Sequence, residues 1–319
     1  MTEHYVLPDV RAFLDTLATN PRPVMTAEVL AMIRKMPPEM MAGLDLPVGD
    51  LATVRDLVMP GPANISGGGE IALRLFDARA TRGPGPVVVF YHGGGFIVGG
   101  IATHAGMAAS IARGLDLPVV SVEYRLAPEH KWPAAPDDAE AAARWISQNG
   151  AALGREATGL IVCGDSAGGN LAIVTALALR DTPAAVPVKF QFPIYPGTSR
   201  AKGTASRLAF ADGYGLESAN MALYESHYAA DPTHWRYAPL LADMAGMPPA
   251  LVVTAALDPL RDEGRAYAAK LIAAGIPTAF HEAKGTIHGF ASYRAQIPSA
   301  VAEFDRVLAL AKTLIDSLA

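Results

Sequence analysis

The chain has 319 residues, 51% of them hydrophobic and 18% charged, with a formal net charge of −5, which is ample to bury a core within one large domain. Lysines and arginines are scattered rather than gathered into a patch or stripe, which excludes a nucleic-acid partner selected by bulk charge. A single cysteine, Cys163, excludes an internal disulfide framework and a cysteine-rich metal site, and a buried structural thiol is its default role.

The start, "MTEHYVLPDVRAFLD", has early acids and no basic stretch leading into an apolar one, so no signal peptide is expected. Runs such as "GLIVCG" and "ALVVTAAL" are too short to span a bilayer. The expectation is a cytoplasmic protein without membrane insertion. Residues 1–45 carry two amphipathic patterns, Val10/Phe13/Leu14/Leu17 and Val29/Ile33/Met36, cut by prolines. Five of the eleven methionines (Met25, Met32, Met36, Met40 and Met41) fall between 25 and 41. Pliable methionines suit both the lining of an acyl pocket and the packing of small helices. Next, "NISGGGEIALRLFDA" alternates apolar and polar residues as an antiparallel hairpin strand does, with Gly67–Gly69 as a turn.

From about residue 86 short apolar runs alternate with helical patterns. The runs predict strands over Val87–Tyr91, Pro118–Tyr124, Leu160–Cys163, Val188–Tyr195, Ala250–Ala255 and Thr278–Glu282. Helices are predicted over His104–Gly114, Asp137–Asn149, Ala167–Arg180, Arg261–Ala274 and Ser299–Leu318. Continuous apolar strands separated by helices argue for a mostly parallel sheet covered on both faces, a doubly wound α/β fold. Residues 197–235 interrupt that rhythm with a polar, irregular insertion, and such an insertion suits a lid or binding element. The expected organisation is one domain over 1–319, its core about 46–196 and 236–319, with a helical cap from about 1–45 and 197–235.

Two stretches carry the chemistry. "LIVCGDSAGGNLAIV" sets Gly164-Asp165-Ser166-Ala167-Gly168 between a strand and a helix, the context of a G-x-S-x-G nucleophile elbow. Its turn strains the serine backbone and needs glycine two positions to either side. "VVVFYHGGGF" places three bare residues where a strand ends. Acyl transfer creates an oxyanion that preorganised backbone N–H groups stabilise. Ala167, directly after the serine, supplies one donor, and Gly93 and Gly94 are assigned as the others. His92 is expected to anchor that loop.

With both stretches in hand, the chain resembles the bacterial hormone-sensitive-lipase-like (family IV) esterases. The likeness extends through "YRLAPEHKWPAAPDD", "LDPLRDEG" and "IHGF", and covers residues 86–319 more closely than the amino-terminal part. It implies an α/β-hydrolase core with a helical cap, hydrolysis of carboxylic esters with short acyl chains, no cofactor, and a monomer or homodimer. Independently, the chain order Ser, then Asp or Glu, then His narrows the partners. His227 and His234 lie in the expected cap, and His281 sits within an alternating strand. His288, in the loop "KGTIHGF", is the expected base. Asp258 ends a strand before a proline and is the expected acid, whereas Asp262 and Glu263 suit a helix amino terminus. Asp165 is expected to support the elbow. No H-E-x-x-H or clustered metal spacing occurs, and "GGGFIVGG" lacks the spacing of a phosphate loop. The expected activity is hydrolysis of small-molecule esters of short-to-medium acyl chain through a covalent acyl-enzyme. Amidase, thioesterase or deacetylase chemistry on the same triad, and a non-catalytic ligand receptor, are the alternatives.

Overall fold

The computed structural model describes residues 4–318, leaving out 22, 38, 39, 41, 42, 63–68 and 202. The expected turn at Gly67–Gly69 therefore lies largely outside the described residues, as does Met41. The chain runs through α1 (Pro8–Thr19), α2 (Ala27–Ile33), β1 (Thr53–Pro60), β2 (Glu70–Asp77), β3 (Gly85–Tyr91), α3 (Ala105–Leu115) and β4 (Val119–Val122). It continues through α4 (Ala134–Gln148), α5 (Gly150–Leu153), β5 (Ala157–Asp165), α6 (Ala167–Asp181), β6 (Val188–Ile194), α7 (Ala205–Ala209) and α8 (Ser218–Tyr228). It closes with β7 (Ala250–Leu257), α9 (Arg261–Ala273), β8 (Thr278–Ile287) and α10 (Pro298–Asp316). Among the described residues no helix is long and apolar enough to cross a membrane.

The strands form one eight-stranded sheet in the order β1-β2-β4-β3-β5-β6-β7-β8. β1 pairs with β2, and β2 with β4, antiparallel; every other pairing is parallel. The apolar runs divide by parity, as a pleated strand requires. Val87, Val89 and Tyr91 join one core with α4 and α6, whereas Val88 and Phe90 join the other with α3 and α10. The doubly wound expectation is met, and each predicted strand and helix from residue 86 onward is present.

Two departures have physical causes. β1 was not expected: Val54 and Val58 face solvent, Arg55 and Asp56 interrupt the apolar pattern, and Pro60 closes it. An edge strand tolerates all three features because one side of its ladder needs no partner. The run read as Pro118–Tyr124 keeps ladder pairing only over Val119–Val122, after which the chain turns away from the sheet.

β3 first steps outward to β4, and the chain then returns to the opposite side of β3 as β5. The loops after β3 and β5 diverge at that switch, where α/β sheets open a crevice beyond their carboxyl ends. Register pairs Tyr91 with Gly164, so His92–Gly95 and Asp165–Ser166 emerge side by side. The described residues of 1–45 and 197–235 contribute short helices and no strand, and the two segments touch where the Met25 amide donates to Asn220 Oδ1 at 3.0 Å.

Candidate active site

Ser166 links β5 to α6 with φ 53° and ψ −113°, in the left-handed region that disfavours a side chain. Its amide donates to Ile194 O at 2.8 Å, which ties the bend to β6. The close approach explains the flanking glycines: a Cβ on Gly168 would stand 1.9 Å from Tyr91 O. The bend lifts the Ser166 hydroxyl beyond the sheet at the amino end of α6, whose dipole favours nearby negative charge.

Ser166 Oγ lies 2.8 Å from His288 Nε2, and His288 Nδ1 lies 2.7 Å from Asp258 Oδ2. Asp258 is fully buried and also accepts the Leu260 amide on Oδ1 at 2.7 Å. A carboxylate accepting on both oxygens orients the ring so that Nδ1–H donates to Asp258, leaving the Nε2 lone pair for the Ser166 hydroxyl. Three residues separated by up to 122 positions are thus one hydrogen-bonded line. The other histidines stand elsewhere. His281 Nε2 meets Glu303 Oε1 at 2.6 Å, His234 Nδ1 accepts from the Arg236 amide at 3.1 Å, and His227 does not contact the serine.

The glycine loop requires a correction. The Gly93 amide donates to Asp165 Oδ1 at 2.7 Å, so it is already committed inside the protein and does not face the cavity. Gly94 and Gly95 do line the cavity beside Ser166 and Ala167. The amides of Gly94, Gly95 and Ala167 have no hydrogen-bond partner among the described residues. Gly94 takes φ 116°, and a Cβ there would meet Val98 O at 2.1 Å, so the turn that aims the loop admits no side chain. Sequence alone had no means of ranking the three glycines, because Asp165 selects among them across the sheet.

The loop is braced from behind. His92 is wholly buried, stacks on Tyr124 with ring centroids 4.2 Å apart, and holds Gly93 O at 2.7 Å from Nδ1. Burial, reinforced by the charge of His104, pushes its pKa down to about 3, so this ring stays neutral. His104, which no motif flagged, has Nε2 3.6 Å from Asp165 Oδ1 and Nδ1 2.9 Å from Thr103 Oγ1. Thr103 spends its own proton on Gly100 O, so Nδ1 carries a hydrogen. Burial lowers the His104 pKa, yet the Asp165 carboxylate outweighs it and leaves the pKa above the ordinary value. Asp165 answers in kind: burial raises its pKa, but His104 and then the Gly93 amide hold it below the usual range.

Glu263 also differs from expectation. It is buried and accepts from the Thr198 and Ser199 amides and from Arg207, so it pins residues 198–207 instead of merely complementing a helix dipole. Asp262 accepts the Ser206 amide at 2.8 Å in the same way.

The cavity over the serine measures about 560 Å³. Met25, Met32, Met36 and Met221 line it together with Ile33 and Leu216, whereas Met40 is exposed. Arg200, Arg207, Glu225 and Tyr237 form a polar cluster in the same lining.

Comparisons with known proteins place the chain among esterases of one fold family. Residues 88–292 match the family described as alpha/beta hydrolase fold. The chain is 37% identical over 276 residues to Esterase LipI of Mycobacterium tuberculosis, covering 84% of each protein. It is 40% identical over 252 residues to Carboxylesterase NlhH of the same species, covering 76% of this chain and 78% of that one. An ester hydrolase from the metagenome of Lake Arreo, solved with a derivative of bipyridine phosphonate, superposes with TM-score 0.88 at 38% identity. That match covers 98% of this chain and 99% of the other.

Proposed function

This chain belongs to the α/β-hydrolase fold family, in its hormone-sensitive-lipase-like branch, and on that premise we propose that it is a carboxylesterase acting through Ser166, His288 and Asp258. The observation that carries the reading is the continuous line from Ser166 Oγ through His288 to Asp258, opening onto a cavity with three unclaimed amides.

In the proposed cycle Ser166 Oγ attacks the ester carbonyl carbon as its proton passes to His288 Nε2. Asp258 stabilises the imidazolium, and the Gly94, Gly95 and Ala167 amides receive the oxyanion. Collapse expels the alkoxide, which takes the proton from Nε2–H and leaves as the alcohol. Water then gives its proton to Nε2 and attacks the acyl-enzyme carbonyl, and collapse releases the acid as Ser166 Oγ takes the proton back from Nε2–H. We further infer that residues 1–45 and 197–235 act as a cap, because they supply the methionine wall and the polar cluster above the serine. Within about 560 Å³, short-to-medium chains fit the acyl or alcohol side of that wall.

The test combines kinetics on matched ester, amide and thioester substrates with stoichiometric phosphonylation of Ser166. The reading expects fast ester turnover and one label per chain, both lost in Ser166→Ala. An unreactive serine in the folded protein would overturn it.

A further inference from the structure

Two guanidinium groups line the cavity beside Glu225 of α8, and they are not equally satisfied. Arg207 is paired: Nε and Nη2 each lie 2.8 Å from Glu263 Oε1. Arg200 is not. It lies flat over Tyr237, with Cζ 3.5 Å from the ring centroid. Among the described residues its one hydrogen bond is Nη2 to Tyr237 O at a long 3.3 Å, and Nε is buried with no partner. The nearest carboxylate is Glu225, whose Oε1 stands 3.9 Å from Arg200 Nη1 and also 3.9 Å from Arg207 Nη1. Both separations exceed a hydrogen bond. Two Nη1 groups therefore converge on one region without an acceptor in contact.

A guanidinium is planar, holds its charge at any working pH, and offers N–H donors in a fork that fits a carboxylate. Leaving such a group under-coordinated in a largely apolar cavity is unfavourable unless a ligand completes it. Contact pairing accounts for Arg207 and Glu263, which leaves one positive charge in want of a close anion. Glu225 compensates it only at a distance and is itself partly exposed, at 28%. It sits on α8, within the insertion over the site, so its side chain can turn toward solvent without disturbing the sheet.

We propose that this part of the cavity is a carboxylate subsite centred on Arg200, and that the preferred substrates are esters bearing a free carboxylate on one half. Arg200 takes the incoming carboxylate with Arg207 Nη1 assisting, Tyr237 supports the guanidinium from beneath, and Glu225 is the competing anion that the substrate displaces. A monoanion takes the place of Glu225 at the guanidinium that lacks a contact partner, whereas a dianion would bring surplus negative charge there. The remainder of the ester lies against Met25, Met36 and Met221. This inference rests on the esterase reading and adds a substrate class to it.

The test uses ester pairs that differ only by a carboxylate in place of a methyl group: monoethyl succinate against ethyl butyrate, monoethyl glutarate against ethyl valerate, and 3-acetoxypropionate against propyl acetate. Wild-type protein is expected to favour the carboxylate member of at least one pair by roughly tenfold or more in kcat/KM, through KM. Arg200→Met should cut that preference by roughly 10–100-fold, and Arg200→Lys, which keeps charge but loses the fork, should fall between. Glu225→Gln should raise the preference and remains informative if Arg200→Met folds poorly. A wild type that prefers the neutral member of every pair overturns the subsite. So does an Arg200→Met variant that lowers both members alike, since Arg200 would then only pack. Calorimetric binding of the intact esters to Ser166→Ala protein separates the two readings. Tighter half-ester binding supports the subsite whether or not turnover occurs, and equal binding overturns it while leaving ester hydrolysis standing.

Discussion

Acidification should destabilise the protein through His92 before it touches the other groups around the loop. The ring is buried and neutral, with its pKa pushed from 6.5 down to about 3. Between those two values an unfolded chain takes up a proton that the native ring refuses, so stability falls as pH falls. Each pH unit in that window is worth about 1.4 kcal/mol, so descending from about pH 6.5 to about pH 4.5 removes roughly 3 kcal/mol. His104 has the opposite sign. Its raised pKa means that its contribution is complete below 6.5 and is lost only as pH climbs through the folded value. Asp165, with a depressed pKa, loses its contribution only below the ordinary 3.8. Neither supplies slope between about pH 6.5 and pH 4.5; Glu123, whose pKa burial raises above 4.5, does so with the opposite sign but equally in wild type and variant, so the difference between the two proteins isolates His92. The perturbation is His92→Phe, which keeps a ring on Tyr124 and cannot titrate. It forfeits the bond to Gly93 O and should start about 1–3 kcal/mol less stable near pH 7. Urea unfolding at about pH 7, 6 and 4.5 on both proteins gives the comparison. The wild type should lose roughly 3 kcal/mol more than the variant over the acid span. Parallel losses in the two proteins would refute the assignment of His92 as a buried neutral ring.

Ser166→Ala and His288→Ala should each lower kcat by on the order of 10⁶ in steady-state ester hydrolysis, while Asp258→Asn, which spoils the tautomer but leaves a side chain in place, should lose about 10⁴. Gly94→Ala sets a Cβ 2.1 Å from Val98 O at φ 116°, so kcat should drop by at least roughly 10²–10³ while circular dichroism still reports a folded chain. Asp45→Ala strands the guanidinium of Arg294, which is buried and forked on Asp45 at 2.6 and 2.7 Å. The predicted destabilisation is about 3–5 kcal/mol by urea unfolding, and replacing both partners with apolar residues should recover most of it.

What could be read in advance divides along the range of the forces involved. Local pattern sufficed for the parallel strands, because both faces of each are covered and the apolar run is continuous, as in β3 and β5. It failed for β1, where Arg55 and Asp56 face solvent and the strand exists because β2 offers it a ladder. The line through Ser166, Asp258 and His288 was legible because each residue sits at the end of an element whose order along the chain restricts the choice. His104, Arg200 and Glu225 were not. Each depends on which loops the sheet order brings together, and no spacing in the chain encodes a meeting of residues 104 and 165 or 200 and 225.

The misassigned glycine shows how the site is framed. Asp165 adjoins the nucleophile in the chain, yet its carboxylate grips the amide of Gly93, at the root of the opposite loop. One side chain therefore fixes the spacing between Ser166 on one side and Gly94 and Gly95 on the other. That spacing depends on the β3–β5 register and on the braces from His92 and His104, all of which belong to the sheet and its flanking helix. Residues 1–45 and 197–235 brace the same loop further along, where Arg34 donates to Ile97 O at 3.1 and 2.6 Å and Tyr228 stacks on Phe96 with ring centroids 4.0 Å apart. In the proposed enzyme the root of the oxyanion loop is thus set by the sheet while its far side leans on the segments that line the cavity, so changes near Arg34 or Tyr228 alter where the carbonyl oxygen is held as well as which ester is admitted.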